Sequence, residues 1–120
     1  MNVRTLFLVA CLIATTMFAG CASKSSSAPM TASVDEKDFK FAPATVTIKK
    51  GGSVTWTNLD SAPHDVTATD ASWKSGDAGN MTTGATYTKM FDAAGTFAYY
   101  CTLHGTSAGA GMAGKVVVVA

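Results

Sequence analysis

Two histidines, a cysteine and a methionine form the group of side chains in this sequence best suited to bind a metal. His64 stands alone in mid-chain, whereas Cys101 and His104 lie close together, and Met112 follows in the same region. A thiolate, two imidazoles and a thioether are soft nitrogen and sulfur ligands, which suit copper cycling between Cu(II) and Cu(I). The four residues predict a copper site, because a trigonal His/His/Cys plane with a long axial methionine strains neither oxidation state.

The distribution of cysteines points to the same group. Cys11 lies in an apolar N-terminal stretch, Cys21 follows that stretch, and Cys101 is alone in the rest of the chain. A lone cysteine in an exported domain has no disulfide partner, so it is either buried and inert or bound to something. His64 and His104, taken singly, also fit ordinary polar loop positions. Their joint arrangement with Cys101 favours the metal site.

The N-terminus predicts export. Arg4 precedes an apolar run over residues 6–18, shorter than the roughly 20 residues that a membrane-spanning helix needs, so residues 1–20 are interpreted as a signal peptide. The sequence Phe18-Ala19-Gly20-Cys21 resembles a bacterial lipoprotein signal, which would make Cys21 the lipidated first residue of the mature protein. The alternative is an ordinary secretory signal with an incidental Cys21. The expected location is periplasmic or otherwise extracytoplasmic, with a membrane anchor at Cys21.

Residues 21–33 are small and polar, so they are predicted to form a flexible tether to the lipid.

The charge of the chain after the signal argues against two classes of partner. Once Arg4 is set aside, eight lysines face eight acidic residues. No basic patch therefore points to nucleic acid, and no acidic run points to strong charge steering of a partner.

Residues 34–120 are predicted to form one all-β domain. Short β-branched and aromatic runs end at turn signals, as in a sandwich or barrel. These runs cover residues 46–48, 54–57, 87–91, 97–101 and 115–119. The segment 70–84 is rich in turn residues and is predicted to be a long loop with at most one helical turn. The predicted core includes Met90 on its strand and four aromatic residues, Trp56, Trp73, Phe91 and Phe97.

A β-sandwich can bring the candidate ligands together. Cys101 would end a strand, and His104 and Met112 would lie on the following loop. His64 would reach the same end of the sandwich from a separate loop, a normal place for a site held by a rigid scaffold. Met81 and Met90 are alternative thioethers, but the first lies in the turn-rich loop and the second on a strand.

Two stretches of sequence resemble the cupredoxin family, and plastocyanins in particular. Tyr100-Cys101-Thr102-Leu103-His104, followed by Gly109-Ala110-Gly111-Met112-Ala113-Gly114-Lys115-Val116, is similar to their ligand loop. Upstream, Pro63-His64-Asp65-Val66 is similar to the segment that carries their first histidine. The resemblance covers roughly residues 39–119, nearly the whole predicted domain.

This resemblance implies a Greek-key β-sandwich that holds one type 1 copper ion and transfers electrons without enzymatic turnover. It implies three strong equatorial ligands and one weak axial ligand, namely His64, Cys101 and His104 with Met112. Asn58 and the backbone N–H of Asp65 are candidates for hydrogen bonds that fix the loops and tune the thiolate. The implied partners of this monomer are redox proteins such as a c-type cytochrome, an oxidase, a reductase or a photosynthetic complex.

Two departures from the family pattern bear on the reduction potential. Seven residues separate His104 from Met112, where four are common in plastocyanins, and this affects the axial bond. Asp65 stands where asparagine is frequent. A charged carboxylate that points toward the metal should favour Cu(II) and lower the reduction potential.

Two other functions use the same residues. A copper chaperone or buffer is the alternative, although chaperones often favour open, methionine-rich or two-coordinate sites. A copper enzyme is disfavoured, because copper oxidases and nitrite reductases need further histidines for a second centre and this sequence has only two.

Overall fold

Residues 27–120 are described by a computed structural model, and within that range they form eight strands and no helix. The strands are β1 (Thr31–Lys37), β2 (Lys40–Ala42), β3 (Thr45–Lys49), β4 (Ser53–Asn58), β5 (Thr67–Ala68), β6 (Thr86–Met90), β7 (Gly95–Gly105) and β8 (Gly111–Val119). The prediction of an all-β domain is confirmed. The predicted signal and Cys21 lie outside the described residues.

The strands form two four-stranded sheets with the orders β2-β1-β4-β6 and β3-β8-β7-β5. β1 pairs with β4, and β3 pairs with β8, in parallel, whereas the other neighbours are antiparallel. Because β1 and β4 run in the same direction, their carboxyl ends meet at one end of the sandwich. The turn after β1 and the loop after β4 are therefore neighbours there.

The core lies between the sheets and follows the strand alternation. On β4, the side chains of Val54, Trp56 and Asn58 are buried while their neighbours are partly exposed. Tyr99 and Cys101 are buried from β7 in the opposite sheet. Of the predicted core aromatics, Trp56 and Phe91 are buried, and Trp73 and Phe97 pack against the core while staying partly exposed.

The prediction that Met90 faces the core is wrong, because its side chain is 60% exposed. Adjacent residues of a strand point to opposite faces, and on β6 it is Lys89 that turns inward. The Lys89 amine lies 5.5 Å from the Trp73 ring centroid and 5.2 Å from that of Phe91. A cation over aromatic rings thus takes the side that the hydrophobic pattern assigned to Met90.

One boundary differs from that expected. β1 begins at Thr31, inside the segment 21–33, and residues 31–36 pair with residues 53–58 of β4.

Residues 70–84 contain bends, turns and single bridges but no helical turn. Local side-chain bonds occupy the backbone there, since Asp70 accepts from both the backbone N–H and the hydroxyl of Ser72.

Candidate metal centre

The candidate ligands meet at the end of the sandwich where β4 and β7 finish and β8 begins. His64 lies in the loop after β4, and its backbone pairs with Met81 through two hydrogen bonds of 3.0 and 2.9 Å. Cys101 and His104 both lie on β7, and Met112 lies on β8. The expectation that His104 and Met112 sit on a loop is therefore wrong, since the connection between the two strands spans only residues 106–110.

An irregularity in the pairing of β7 with β8 lets ligands on these two strands reach the same site. The β7–β8 pairing shifts register between Tyr100 and Gly105, so residues 101–104 leave the regular ladder. Gly105 and Gly111 pair beyond the break, and both must be glycine. A Cβ at Gly105 would overlap the carbonyl oxygen of Met112, and one at Gly111 would overlap that of His104. Two glycines thus let the strand ends approach closely enough to bring Met112 beside His104.

Three donor atoms form a triangle of metal-binding size. The His64 and His104 Nδ1 atoms are 3.1 Å apart, and they lie 3.8 and 3.6 Å from the Cys101 sulfur. A point equidistant from all three lies about 2 Å from each, comparable with metal–ligand bonds of about 2.0–2.3 Å in protein sites. Within residues 27–120 this is the one group of three or more histidine, cysteine or acidic side chains arranged to hold a metal ion.

The thioethers differ in their surroundings. Met112 and Met81 are both buried, whereas the exposure of Met90 removes it from the candidates. Met81 is already fixed to His64 by its backbone. Burial therefore leaves two thioethers beside the site, Met81 next to His64 and Met112 at the β8 end beside His104. Met112 as the fourth ligand stays a prediction from the sequence.

Asp60 holds His64 from the side away from the triangle. Its Oδ2 accepts a hydrogen bond from His64 Nε2 at 2.8 Å and from the Phe39 N–H at 3.0 Å, and its Oδ1 accepts from the Asp38 N–H at 2.8 Å. These bonds, chiefly that from Phe39 and then that from His64, lower the pKa of Asp60 to about 2. A carboxylate on the outer nitrogen leaves Nδ1 free to bind the metal and makes the imidazole a more basic ligand.

The same carboxylate stabilises an unusual turn. Asp38 and Phe39 have φ angles of 53° and 57°, the pattern of a type I′ turn, which Asn-Gly normally occupies. The left-handed conformation costs roughly 1–2 kcal/mol for a residue with a side chain. The Asp60 carboxylate offsets this by accepting from both amides of the turn.

The turn places Phe39 over the two histidines. Its ring centroid lies 4.7 Å from that of His104 and 5.7 Å from that of His64, edge to face in both cases. Phe39 and Leu103 remain about half exposed, at 52% and 49%. His104 is partly exposed between apolar side chains, whereas His64 and Cys101 are buried.

Asp65 turns its carboxylate into the protein beside Cys101. One oxygen accepts from the Thr67 hydroxyl and the Thr102 N–H, and the other accepts from the Thr102 hydroxyl and the Gly79 N–H. The Cys101 sulfur lies 3.9 Å from the second oxygen. Four protein donors on two oxygens is the bonding pattern of an anion, so a negative charge lies close to the candidate metal position.

The electrostatics of Cys101 reflect these neighbours. Burial raises the pKa of its thiol, the backbone N–H of Asp65 lowers it, and the Asp65 charge adds a smaller rise. The thiolate is the form that binds metal, so metal binding must release the proton that burial favours.

Asn58 fixes the loops around His64 without touching the thiol. Its amide donates to the carbonyl oxygens of Met81 at 2.7 Å and Ala62 at 2.9 Å, and its Oδ1 accepts from the Asp60 N–H at 2.8 Å. One buried side chain thereby ties the β4 end to both segments that flank the histidine.

Comparison with known proteins identifies the metal. The profile described as copper binding proteins, plastocyanin/azurin family, matches residues 28–119. The chain belongs to this family. Chloroplastic plastocyanin of Tetradesmus obliquus is 42% identical over 92 residues, which are 70% of this chain and 61% of that protein. Amicyanin-alpha of Methylorubrum extorquens is 38% identical over 87 residues, which are 67% of this chain and 65% of that protein.

Solved cupredoxin structures share the fold. A reduced amicyanin variant matches with a TM-score of 0.62 and 30% identity, over 82% of this chain and 88% of that one. The purple cupredoxin of Nitrosopumilus maritimus matches with a TM-score of 0.57 and 25% identity, over 73% and 99%. This chain spans less than two thirds of the two curated relatives described above. The cupredoxin site is a copper site, and its two histidines and one cysteine are consistent with one type 1 copper ion.

Asp60 and Phe39 are the site residues that sequence reasoning missed. Asp60 precedes His64 by four residues, and Phe39 lies far upstream. The sequence offers one weak signal, since an Asp-Phe pair at the tip of a hairpin needs an anion to stabilise its strained amides. Asn58, in contrast, was predicted from the resemblance to the cupredoxin family.

Proposed function

We propose that this protein transfers single electrons through one copper ion held by His64, Cys101, His104 and Met112. The observation that carries the proposal is the triangle of two Nδ1 atoms and one sulfur, two of its three residues being fully buried. Copper supplies a one-electron couple between Cu(II) and Cu(I) when bound.

The chain's own residues restrict movement at the site. Asp60 and Met81 hold His64 from two directions, and the buried Asn58 amide holds Met81. Donors held this firmly move little when the metal charge changes, and a small structural change favours fast transfer.

His104 is the proposed point of electron entry and exit. It is the partly exposed member of the triangle, and Phe39 and Leu103 give its surroundings an apolar surface. Brief apolar docking fits a chain close to electrical neutrality. Redox proteins such as a c-type cytochrome, an oxidase, a reductase or a photosynthetic complex are the proposed class of partner.

Voltammetry of the copper-loaded protein distinguishes a carrier from a chaperone or buffer. A carrier gives a reversible one-electron couple and keeps its copper during incubation with a strong copper chelator. Rapid loss of copper to the chelator, or an irreversible couple, would favour the buffer. The axial position is tested by Met112→Leu against Met81→Leu, because only the first should shift the potential strongly.

We also propose that the protein is exported and anchored through a lipid on Cys21. Residues 1–33 support this by composition alone, and the tether before β1 would run to residue 30. Among residues 27–120 there is no helix long and apolar enough to cross a membrane. Mass spectrometry of the membrane fraction should find lipid mass on Cys21, and Cys21→Ser should release the protein. An unmodified Cys21 in soluble protein would contradict the anchor.

A further inference from the structure

Glu36 is a buried carboxyl group that the copper site does not use. It faces the core from β1, where it pairs with Phe41 on one side and Asn58 on the other. Its side chain has no exposed surface, and neither carboxylate oxygen has a hydrogen-bond partner. Among residues 27–120, no other carboxylate is buried without any partner. Such a group is stable as an anion only if a positive charge compensates it.

The charges around Glu36 are negative rather than positive. Asp65 and Asp60 act on it from the loop after β4, and Tyr99 lies within electrostatic reach on β7. Neither ion pair among the described residues includes it. Burial first, and then the Asp65 and Asp60 charges, raise the pKa of Glu36 from 4.5 to about 7. Its protonation is therefore balanced near neutral pH.

The same two aspartates connect Glu36 with the metal site. Asp60 is bonded to His64, and Asp65 lies against Cys101. Charges that act on Glu36 are thus in contact with two of the proposed ligands. A change of one unit of charge on the metal acts on Glu36 through the same poorly screened interior.

We propose that Glu36 is a redox-linked proton-binding site, which takes up one proton from water when the copper is reduced and releases it when the copper is oxidised. The proposal rests on the electron-transfer function above. On reduction, the metal gains one electron from a reductant, and the Glu36 carboxylate gains one proton from water by forming an O–H bond. On oxidation, the electron passes to an oxidant and the Glu36 proton returns to water. The total charge of the interior then stays constant through the cycle.

The sign of the coupling gives a measurable signature. An ionised Glu36 stabilises the more positive oxidised metal, so the potential falls as pH rises through the range in which Glu36 titrates. When one proton accompanies one electron, the redox equilibrium constant changes up to tenfold per pH unit, which is 59 mV for a one-electron couple. The slope flattens on both sides of that range.

The decisive experiment measures the potential between about pH 5 and pH 9 for the copper-loaded wild type, Glu36→Gln and Asp35→Asn. Asp35 is the exposed neighbour on the same strand, so its substitution changes charge equally without touching the interior. Wild type and Asp35→Asn should share the slope, and Glu36→Gln should lack it. A flat wild-type curve would overturn the proposal. So would a slope that persists in Glu36→Gln, because a group other than Glu36 would then bind the proton.

A second readout uses the metal-free protein, so that it stands apart from copper binding. Below pH 4.5 Glu36 is protonated in both folded and unfolded states and contributes nothing. As pH rises toward about 7 only the unfolded state ionises, so the wild type loses stability relative to Glu36→Gln. The unfolding constants should diverge on the order of a hundredfold between about pH 4.5 and 8. If the stabilities of the wild type and Glu36→Gln change in parallel with pH, Glu36 is not a buried proton-binding site, and this result does not depend on copper binding.

If Glu36→Gln folds poorly, Glu36→Leu replaces it in both measurements. The wild type also supplies an internal test through its redox-induced infrared difference spectrum near pH 7. Reduction should produce a carbonyl stretch of a protonated carboxylic acid. A spectrum without that band would overturn the coupling even if the protein is an active electron carrier.

Discussion

Asp60 joins three parts of the chain that are distant in sequence or in structure. Its carboxylate bonds the tip of the β1–β2 hairpin and the outer nitrogen of His64, while its own amide bonds Asn58. Because one side chain holds both the strained turn and a proposed ligand, its loss should affect metal binding beyond the loss of one hydrogen bond.

Replacing Asp60 with alanine tests this role. The His64 ring loses its support and part of its basicity, so copper affinity should fall about 10–100-fold. A competition titration with a chromophoric chelator measures it. Asp70→Ala is the matched control, because that carboxylate bonds only to Ser72 in its own exposed turn. Equal affinity in the wild type and Asp60→Ala would show that the geometry of His64 does not depend on Asp60.

Asp65 should lower the reduction potential, because its carboxylate points inward and lies next to Cys101. Asp65→Asn removes the charge while keeping the size, so the potential should rise on the order of tens of millivolts. Voltammetry at fixed pH provides the value, with the exposed Asp35→Asn as reference. An unchanged potential in Asp65→Asn would mean that the four hydrogen bonds to the carboxylate screen its charge.

At this scale, residue type and spacing predict some site members and not others. His64, Cys101 and His104 could be predicted because the domain has no other residues of these types. Asp60 and Glu36 could not, because their roles depend on burial and on contacts between segments that sequence spacing does not encode. An acidic residue at a strand position looks solvent-exposed in any sequence pattern.

The strands β7 and β8 build the site by leaving their regular ladder. The break after Tyr100 turns Cys101 and His104 toward His64, and the close pair of Gly105 and Gly111 returns the chain to the sheet at Met112. Sequence predicted the strands but placed His104 and Met112 on a loop, since glycine-rich segments resemble loops when their pairing is unknown. β6 shows the same limit, because alternation alone did not decide whether Met90 or Lys89 points toward the core.

Gly111→Ala tests the close approach of the two strands. Both Gly111 and Gly109 have positive φ angles, of 71° and 90°, but only a Cβ at Gly111 would meet protein backbone. Gly109→Ala should cost roughly 1 kcal/mol from strain alone. Gly111→Ala should cost more and should also alter the optical spectrum of the copper site by moving Met112. Denaturant unfolding and absorption spectra compare the two variants, and equal effects would contradict a tight contact at Gly111.

The whole molecule serves as a scaffold that holds its donors in place. Two sheets close over a buried aromatic and aliphatic core, and parallel pairing of β1 with β4 puts the supporting turn beside the histidine loop. The all-β class of this architecture could be predicted from the short alternating runs of sequence. The strand order could not, because the residues that decide it are distant in sequence.

The central claim is that Cys101, with His64 and His104, binds one copper ion as its thiolate. The most direct test is a titration of the metal-free protein with Cu(II), followed by visible absorption and checked by the circular dichroism of the fold. The wild type should develop an intense blue thiolate-to-copper band that saturates at one equivalent, and Cys101→Ser should stay colourless while keeping the sandwich. A colourless wild type, or a band that survives in a folded Cys101→Ser, would contradict the account.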